Sequence, residues 1–296
     1  MSKISKNIIV FYHEHCLDGF ASAFVAWKKF KSRAEYISLS HTENGEDILK
    51  NKKINIKDLK GREVYFIDFC PNEIELKKVK DAAKKLVVID HHIGKKEIIN
   101  KLEGSVFKDG VSGAYLTQEY FSPKNKIPKL IKYISIGDTW TWGQEKFERE
   151  VLAYLHTEDF DFKNFSKLEK DFENKEKFLN IVNIGKVLNS SYNKMIENQI
   201  ENAKLINFEG YKIYAINSIS TFKSELGHIL AKKSKSKFSI VYTFEGDILK
   251  ISLRGDNKIN LSELAKKFGG GGHFNAAGFS IKDKEKIREF IKNYLS

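Results

Sequence analysis

At 296 residues, with 41% hydrophobic and 12% aromatic content, the chain is excluded from the disordered class and is long enough for two domains with separate cores. Its 51 Lys and Arg against 39 Asp and Glu leave a formal charge of +12, which suits an anionic partner such as RNA, DNA or nucleotides. Cysteine occurs only at Cys16 and Cys70, too few for a disulfide framework, and no apolar stretch reaches membrane-spanning length; the expectation is a soluble cytoplasmic protein with no membrane partner.

In chain order, residues 8–12 read as a buried strand, followed at once by His13, Cys16 and Asp18. A helix is predicted over 20–30, a strand over 64–67 ending at Asp68, and a helix over 71–85 with Pro71 at its first position. The apolar run 86–89 closes on Asp90-His91-His92, and helices over 112–120 and 128–136 lead to Asp138. Strands alternating with amphipathic helices imply an α/β fold with a parallel sheet covered on both faces.

Residues 145–205 are highly charged, lack strand alternation, and place Ile181, Ile184, Val187 and Leu188 at helical spacing. Strands resume over 211–217, 238–245 and 248–253, the last two separated by Gly246-Asp247 as in a hairpin, with helices over 223–233, 261–268 and 283–294. The expected organisation is therefore a catalytic α/β domain over 1–180, a connector helix over 181–206, and a smaller α+β domain over 207–296. No proline-rich or Ser-Gly tract marks a flexible linker, and no internal repeat is visible.

Strand ends at one edge of an open α/β sheet are where ligands bind, and three of them here deliver imidazole and carboxylate. That donor mixture suits Mn²⁺ or Mg²⁺, and a carboxylate shared by two ions is a common way to hold them close enough for phosphoryl chemistry. A second candidate site is the run Gly269-Gly270-Gly271-Gly272-His273, followed by Ala276-Ala277-Gly278. Glycines permit positive φ and leave N–H groups available to converge on an anion, and the small residues after them allow a helix N-terminus to approach.

These motifs resemble the DHH phosphoesterase superfamily over nearly the whole chain. His13-Glu14-His15-Cys16-Leu17-Asp18-Gly19 is similar to the first motif of nanoRNase B-like members, Asp68 to the second, Asp90-His91-His92 to the name-giving third, and Asp138 in Ile136-Gly137-Asp138-Thr139-Trp140 to the fourth. The resemblance implies an N-terminal parallel-sheet DHH domain joined by the helical connector to the associated C-terminal domain. It assigns His13 and Asp68 to one ion, and Asp18, Asp68, His91 and Asp138 to a second, with Asp68 bridging. Asp90 would orient its neighbours and His92 would touch the scissile phosphate, with two Mn²⁺ ions, or Mg²⁺ or Co²⁺, activating water for in-line attack. Many members carry aspartate where Cys16 stands, which makes Cys16 a second-rank ligand, with His15 as the other way to fill the gap. The glycine loop, through Gly270, Gly271, Gly272 and His273, together with Arg254, would grip a nucleotide end and so measure substrate length.

The expected activity is hydrolysis of short single-stranded RNA or DNA oligonucleotides, or linear dinucleotides, to mononucleotides. Rivals are a phosphatase of 3′-phosphoadenosine 5′-phosphate, a cyclic-dinucleotide phosphodiesterase, a RecJ-like exonuclease, and a nucleotide-binding module whose metal site has decayed; a homodimer is compatible with the sequence. His41, His156 and His228 show no sequence partners and read as ordinary histidines. Trp27, Trp140 and Trp142 read as packing residues, with base stacking near Asp138 as the other use.

Overall fold

The computed structural model describes residues 6–40, 54–272 and 274–295. His41 and His273 therefore lie outside the described residues. The chain divides into two compact units, Met1–Asn189 and Ser190–Ser296.

In the first unit, β1 (Ile8–His13), β2 (Ala34–Leu39), β3 (Glu63–Ile67), β4 (Lys85–Asp90) and β5 (Val106–Phe107) form a fully parallel sheet in the order β2-β1-β3-β4-β5. Alternation along the strands supplies two cores: Ile9, Phe11, Val64, Phe66 and Val88 face one way, whereas Val10, Tyr65, Ile67, Val87 and Ile89 face the other. Burial on both faces is why these strands are continuous apolar runs. The sheet reverses its order of addition between β1 and β3, and a crevice opens at such a switch point beyond the carboxyl ends of the strands.

Helix α1 (Leu17–Phe30) returns from β1. Next come α2 (Glu73–Ala82), the single turn α3 (Lys96–Ile99), α4 (Gly113–Phe121), α5 (Lys129–Thr139), α6 (Glu148–Leu155), α7 (Phe162–Glu173) and α8 (Lys175–Ile200). Phe20 and Phe24 of α1, Leu130 and Ile134 of α5, Val151 of α6, Phe165 and Phe172 of α7, and Ile181 of α8 share a third core.

The second unit is a six-stranded sheet of β6 (Lys204–Phe208), β7 (Tyr211–Asn217), β8 (Phe238–Glu245), β9 (Ile248–Gly255), β10 (Gly271–Gly272) and β11 (Ala276–Ile281), in the order β10-β11-β9-β8-β7-β6. Only the β7–β8 pair is parallel, and its crossover is α9 (Lys223–Lys233). Helices α10 (Leu261–Lys266) and α11 (Lys284–Phe290) follow, the latter continued by a π turn over Ile291–Leu295. Along β9, residues alternate between buried and half-buried, as a sheet with one covered face requires. Gly246 turns the β8–β9 hairpin at φ +60.

Several elements differ from the sequence reading. The helix expected over 71–85 is Glu73–Ala82, because Asn72 accepts the Glu75 N–H and starts it, while Lys85 already belongs to β4. The connector expected over 181–206 begins at Lys175 and ends at Ile200, and Lys204 opens β6. After the glycine run comes the strand β11, an element the sequence reading did not name. The strands β2, β5 and β6 had no clear apolar alternation and were not expected.

Candidate metal centre

The site grows from three strand ends and two helices. At the end of β1, His13 is followed by a turn in which His15 is exposed at φ +54, and α1 then begins. A Cβ on Gly19 would lie 2.3 Å from the His13 carbonyl oxygen, so glycine lets the first turn of α1 close over β1. At the end of β3, Asp68 keeps its N–H on Ile89 O at 2.9 Å but turns left-handed, φ +51. Non-glycine residues rarely adopt that conformation, and it persists where surroundings enforce it.

Three overlapping donor groups result, each with its atoms within 4.8 Å of one another: Asp68, Asp90, His91 and His92; His13, Cys16 and Asp68; Asp18, His91 and Asp138. Asp68 is central. Its Oδ1 lies 3.3 Å from His91 Nε2 and its Oδ2 lies 3.6 Å from His13 Nδ1, while His91 Nε2 is 3.5 Å from Asp138 Oδ2. Both Asp68 carboxylate oxygens are buried without a well-formed hydrogen bond. A charged carboxylate buried in this way is costly unless a cation completes it, and the imidazole and carboxylate donors around it have the right chemistry for a divalent ion.

The remaining donors are positioned by hydrogen bonds. Asp90, fully buried, accepts the His91 N–H at 2.8 Å and sits 2.6 Å from His92 Nδ1, which fixes the ring and leaves Nε2 as its other nitrogen. Asp18 accepts Gly113 N–H at 2.7 Å and Ala114 N–H at 3.0 Å, and so caps the N-terminus of α4. Gly113 has its own reason to be glycine, because a Cβ there would meet Asp68 Cβ at 2.5 Å. Sequence reasoning missed Ser112, Gly113 and Ala114; the small-residue start of a predicted helix was their only signal.

The crowding shifts several of these groups. Burial alone would push Asp68 up, but the His13 and His91 imidazoles close beside its two oxygens hold it well below the usual carboxylate range. Burial would lower His91, yet Asp68, Asp138 and Asp18 raise it to about 10. Asp138 is pushed up to about 6, first by burial, with the His91 and Asp68 charges acting in opposite directions. Burial and the Asp68 and Asp138 carboxylates drive Asp18 well above its ordinary value, and burial followed by the same kind of repulsion drives the Cys16 thiol well up. For His92, the Asp90 charge overcomes burial and raises the ring. His15 joins none of the donor groups among the described residues.

In the second unit, part of the glycine run is already engaged by the fold. Gly269 N–H and Gly270 N–H are already spent on Lys266 O and Ala265 O, closing the C-terminal end of α10. Gly271 and Gly272 pair with Gly278 and Ala277 of β11, and a Cβ on Gly270 would lie 2.1 Å from Gly278 O, so close strand packing also demands glycine. Arg254 on β9 lies opposite Ala276, with Nη2 3.3 Å from Ser224 Oγ, and burial brings its pKa down to about 10.

Residues 215–295 match the family model described as the DHHA1 domain. An uncharacterized protein of Acanthamoeba polyphaga mimivirus is 29% identical over 308 residues, covering 96% of this chain and 70% of that protein. Oligoribonuclease NrnB of Bacillus subtilis is 26% identical over 237 residues, covering 72% of this chain; the match spans only 57% of that relative's length. Among solved structures, RecJ in complex with Mn²⁺ from Thermus thermophilus superposes with a TM-score of 0.52 at 14% identity, over 98% of this chain and 51% of that one. Among the described residues, no helix is long and apolar enough to cross a membrane.

Proposed function

We propose that the chain, whose residues 215–295 match the DHHA1 domain and which is 26% identical to oligoribonuclease NrnB, is a metal-dependent phosphodiesterase of the DHH superfamily that releases mononucleotides from short single-stranded oligonucleotides or linear dinucleotides. The observation that carries this reading is Asp68, a buried carboxylate with one oxygen 3.3 Å from His91 Nε2 and the other 3.6 Å from His13 Nδ1, and with Asp138 brought close through His91. His13, Cys16 and Asp68 would hold one divalent ion, and Asp18, Asp68, His91 and Asp138 a second, a donor set with which Mn²⁺ is compatible. When bound, such ions supply an activated water and neutralise charge on the phosphate oxygens.

The chain's own groups do the rest. Asp68 is kept ionised despite burial, ready to hold cations without first losing a proton. Asp90 locks His92 so that Nε2 can donate to a phosphate oxygen or to the departing sugar oxygen, and the raised basicity of the ring keeps a proton available there. The NrnB relative carries an oligoribonuclease name, and RecJ was solved with Mn²⁺; both fit this chemistry.

The test is Mn²⁺-supplemented incubation with end-labelled RNAs ranging from dinucleotides to long oligomers. Mononucleotide release fastest on the shortest substrates is expected, together with its abolition in a folded His91→Ala variant. No release at any length with Mn²⁺, Mg²⁺ or Co²⁺ would overturn the assignment.

A further inference from the structure

We propose that Trp140, backed by Trp142 and Arg149, is a stacking wall for the nucleobase next to the scissile phosphate. The inference rests on the phosphodiesterase reading and names the part of the substrate that this edge of the site holds.

Asp138 occupies the last turn of α5, and the next residue but one, Trp140, reverses the chain in a left-handed conformation at φ +58. Two residue steps limit the Asp138 and Trp140 Cα atoms to roughly 7 Å apart. Asp138 Oδ2 in turn lies 3.5 Å from His91 Nε2, so the indole is tethered within about one nucleotide's span of the metal donors.

The segment that presents the indole is fastened unusually well for a loop. Thr139 Oγ1 donates to Ser135 O at 2.7 Å and lies 2.9 Å from Thr141 Oγ1. The buried Glu148 carboxylate accepts the N–H groups of Gly143, Gln144 and Glu145 at 2.8, 2.7 and 2.6 Å. Tyr133 OH donates to Lys146 O at 2.6 Å.

The aromatic pair divides its labour. Trp142 packs against the helical core with its Nε1 buried. Trp140 meets it edge-on, with centroids 5.1 Å apart at 77°, and belongs to none of the buried clusters among the described residues. The Arg149 guanidinium lies 3.5 Å from the Trp142 ring and 5.0 Å from the Trp140 ring. A rigid, half-exposed indole beside a cation is the arrangement that holds single-stranded nucleic acid, because every base has a π-face and every link a phosphate. Such a wall is indifferent to sequence, as an enzyme that degrades mixed oligomers requires.

The experiment uses the full chain with Trp27→Phe to remove the α1 emitter. The dinucleotide pApA is titrated in Ca²⁺, with ribose 5-phosphate as the base-free control. A saturable quench by pApA alone is expected, and the quench should be largely lost in Trp140→Phe while calorimetric affinity survives. Trp140→Ala should weaken pApA binding and raise KM by about tenfold, with little change in kcat. Binding by Trp140→Ala equal to that of the parent would overturn the proposal, as would Trp140→Phe proving as defective as Trp140→Ala while both melt like the parent. A base-dependent quench in a protein that hydrolyses no RNA with any metal would keep the stacking wall and remove the hydrolase reading; hydrolysis with unchanged KM in Trp140→Ala would do the reverse.

Discussion

At Asp68 burial opposes ionisation, and two imidazoles enforce it; the balance shows in His91, whose pKa is lifted to about 10 from an ordinary 6.5. A histidine raised in the folded state stabilises the metal-free protein fully below about pH 6.5, and that contribution drains away as pH climbs through about 10. Cation binding at His91 Nε2 must displace this proton, and a Cys16 ligand would release another, so Mn²⁺ affinity should rise at least about tenfold per pH unit between about pH 7 and pH 9. Below about 6 the rise should be steeper, because Asp138 must also lose a proton. Isothermal titration in buffers of different ionisation enthalpy counts the released protons; a pH-independent affinity across that window would refute the role given to His91. The histidines and aspartates that the structure brings together were marked in sequence because they stand at or just after a strand's end, open α1 as Asp18 does, or close α5 as Asp138 does. The partner of Asp18 was not legible, since its meaning lies in a backbone contact spanning 95 residues. The glycine run was legible as a constrained turn, but the spending of its Gly269 and Gly270 N–H groups on the end of α10 depends on tertiary packing.

Among the elements, helix N-termini do two different jobs. Asn72 caps α2 locally, its Oδ1 accepting from Glu75 N at 2.9 Å and its Nδ2 donating to Glu75 Oε2 at 2.9 Å. The start of α4 is instead docked on the site: Asp18 takes two of its N–H groups, Ser112 N–H donates to Ser135 Oγ of α5 at 3.1 Å, and Gly113 lies against Asp68. Asn72→Ala should therefore cost about 1 kcal/mol of stability and leave turnover untouched. Gly113→Ala should displace the Asp68 carboxylate and cost on the order of a hundredfold in rate, since displacing a reacting group by about an ångström has that effect. Urea melts beside initial rates for the two variants check this; a Gly113→Ala enzyme with parental rates would show that the α4 terminus does not set the position of Asp68. The same contrast explains how well the elements could be read. Local signals such as Ser112 ahead of α4 or Gly246 between β8 and β9 mark their elements, whereas β2 carries the mixed run Ala-Glu-Tyr-Ile-Ser-Leu and becomes a strand only by pairing with β1.

On the scale of the molecule, all the metal donors belong to the unit Met1–Asn189, whose cores around the parallel sheet and helices are separate from those of Ser190–Ser296. A ligand that binds only the native form stabilises it in proportion to the logarithm of its saturation, about 2.7 kcal/mol at a hundredfold excess over Kd. For a unit of this size each kcal/mol moves the melting temperature by about 2–4 °C, which predicts a shift of roughly 5–11 °C. Scanning calorimetry with Mn²⁺, and again after chelation, should therefore move one transition upward and back while a second, belonging to the β6–β11 unit, stays in place. That selectivity is the critical result, because a shift shared equally by both transitions would mean that Mn²⁺ acts on surface carboxylates at large. No shift at all would mean that the buried Asp68 pocket does not take the ion.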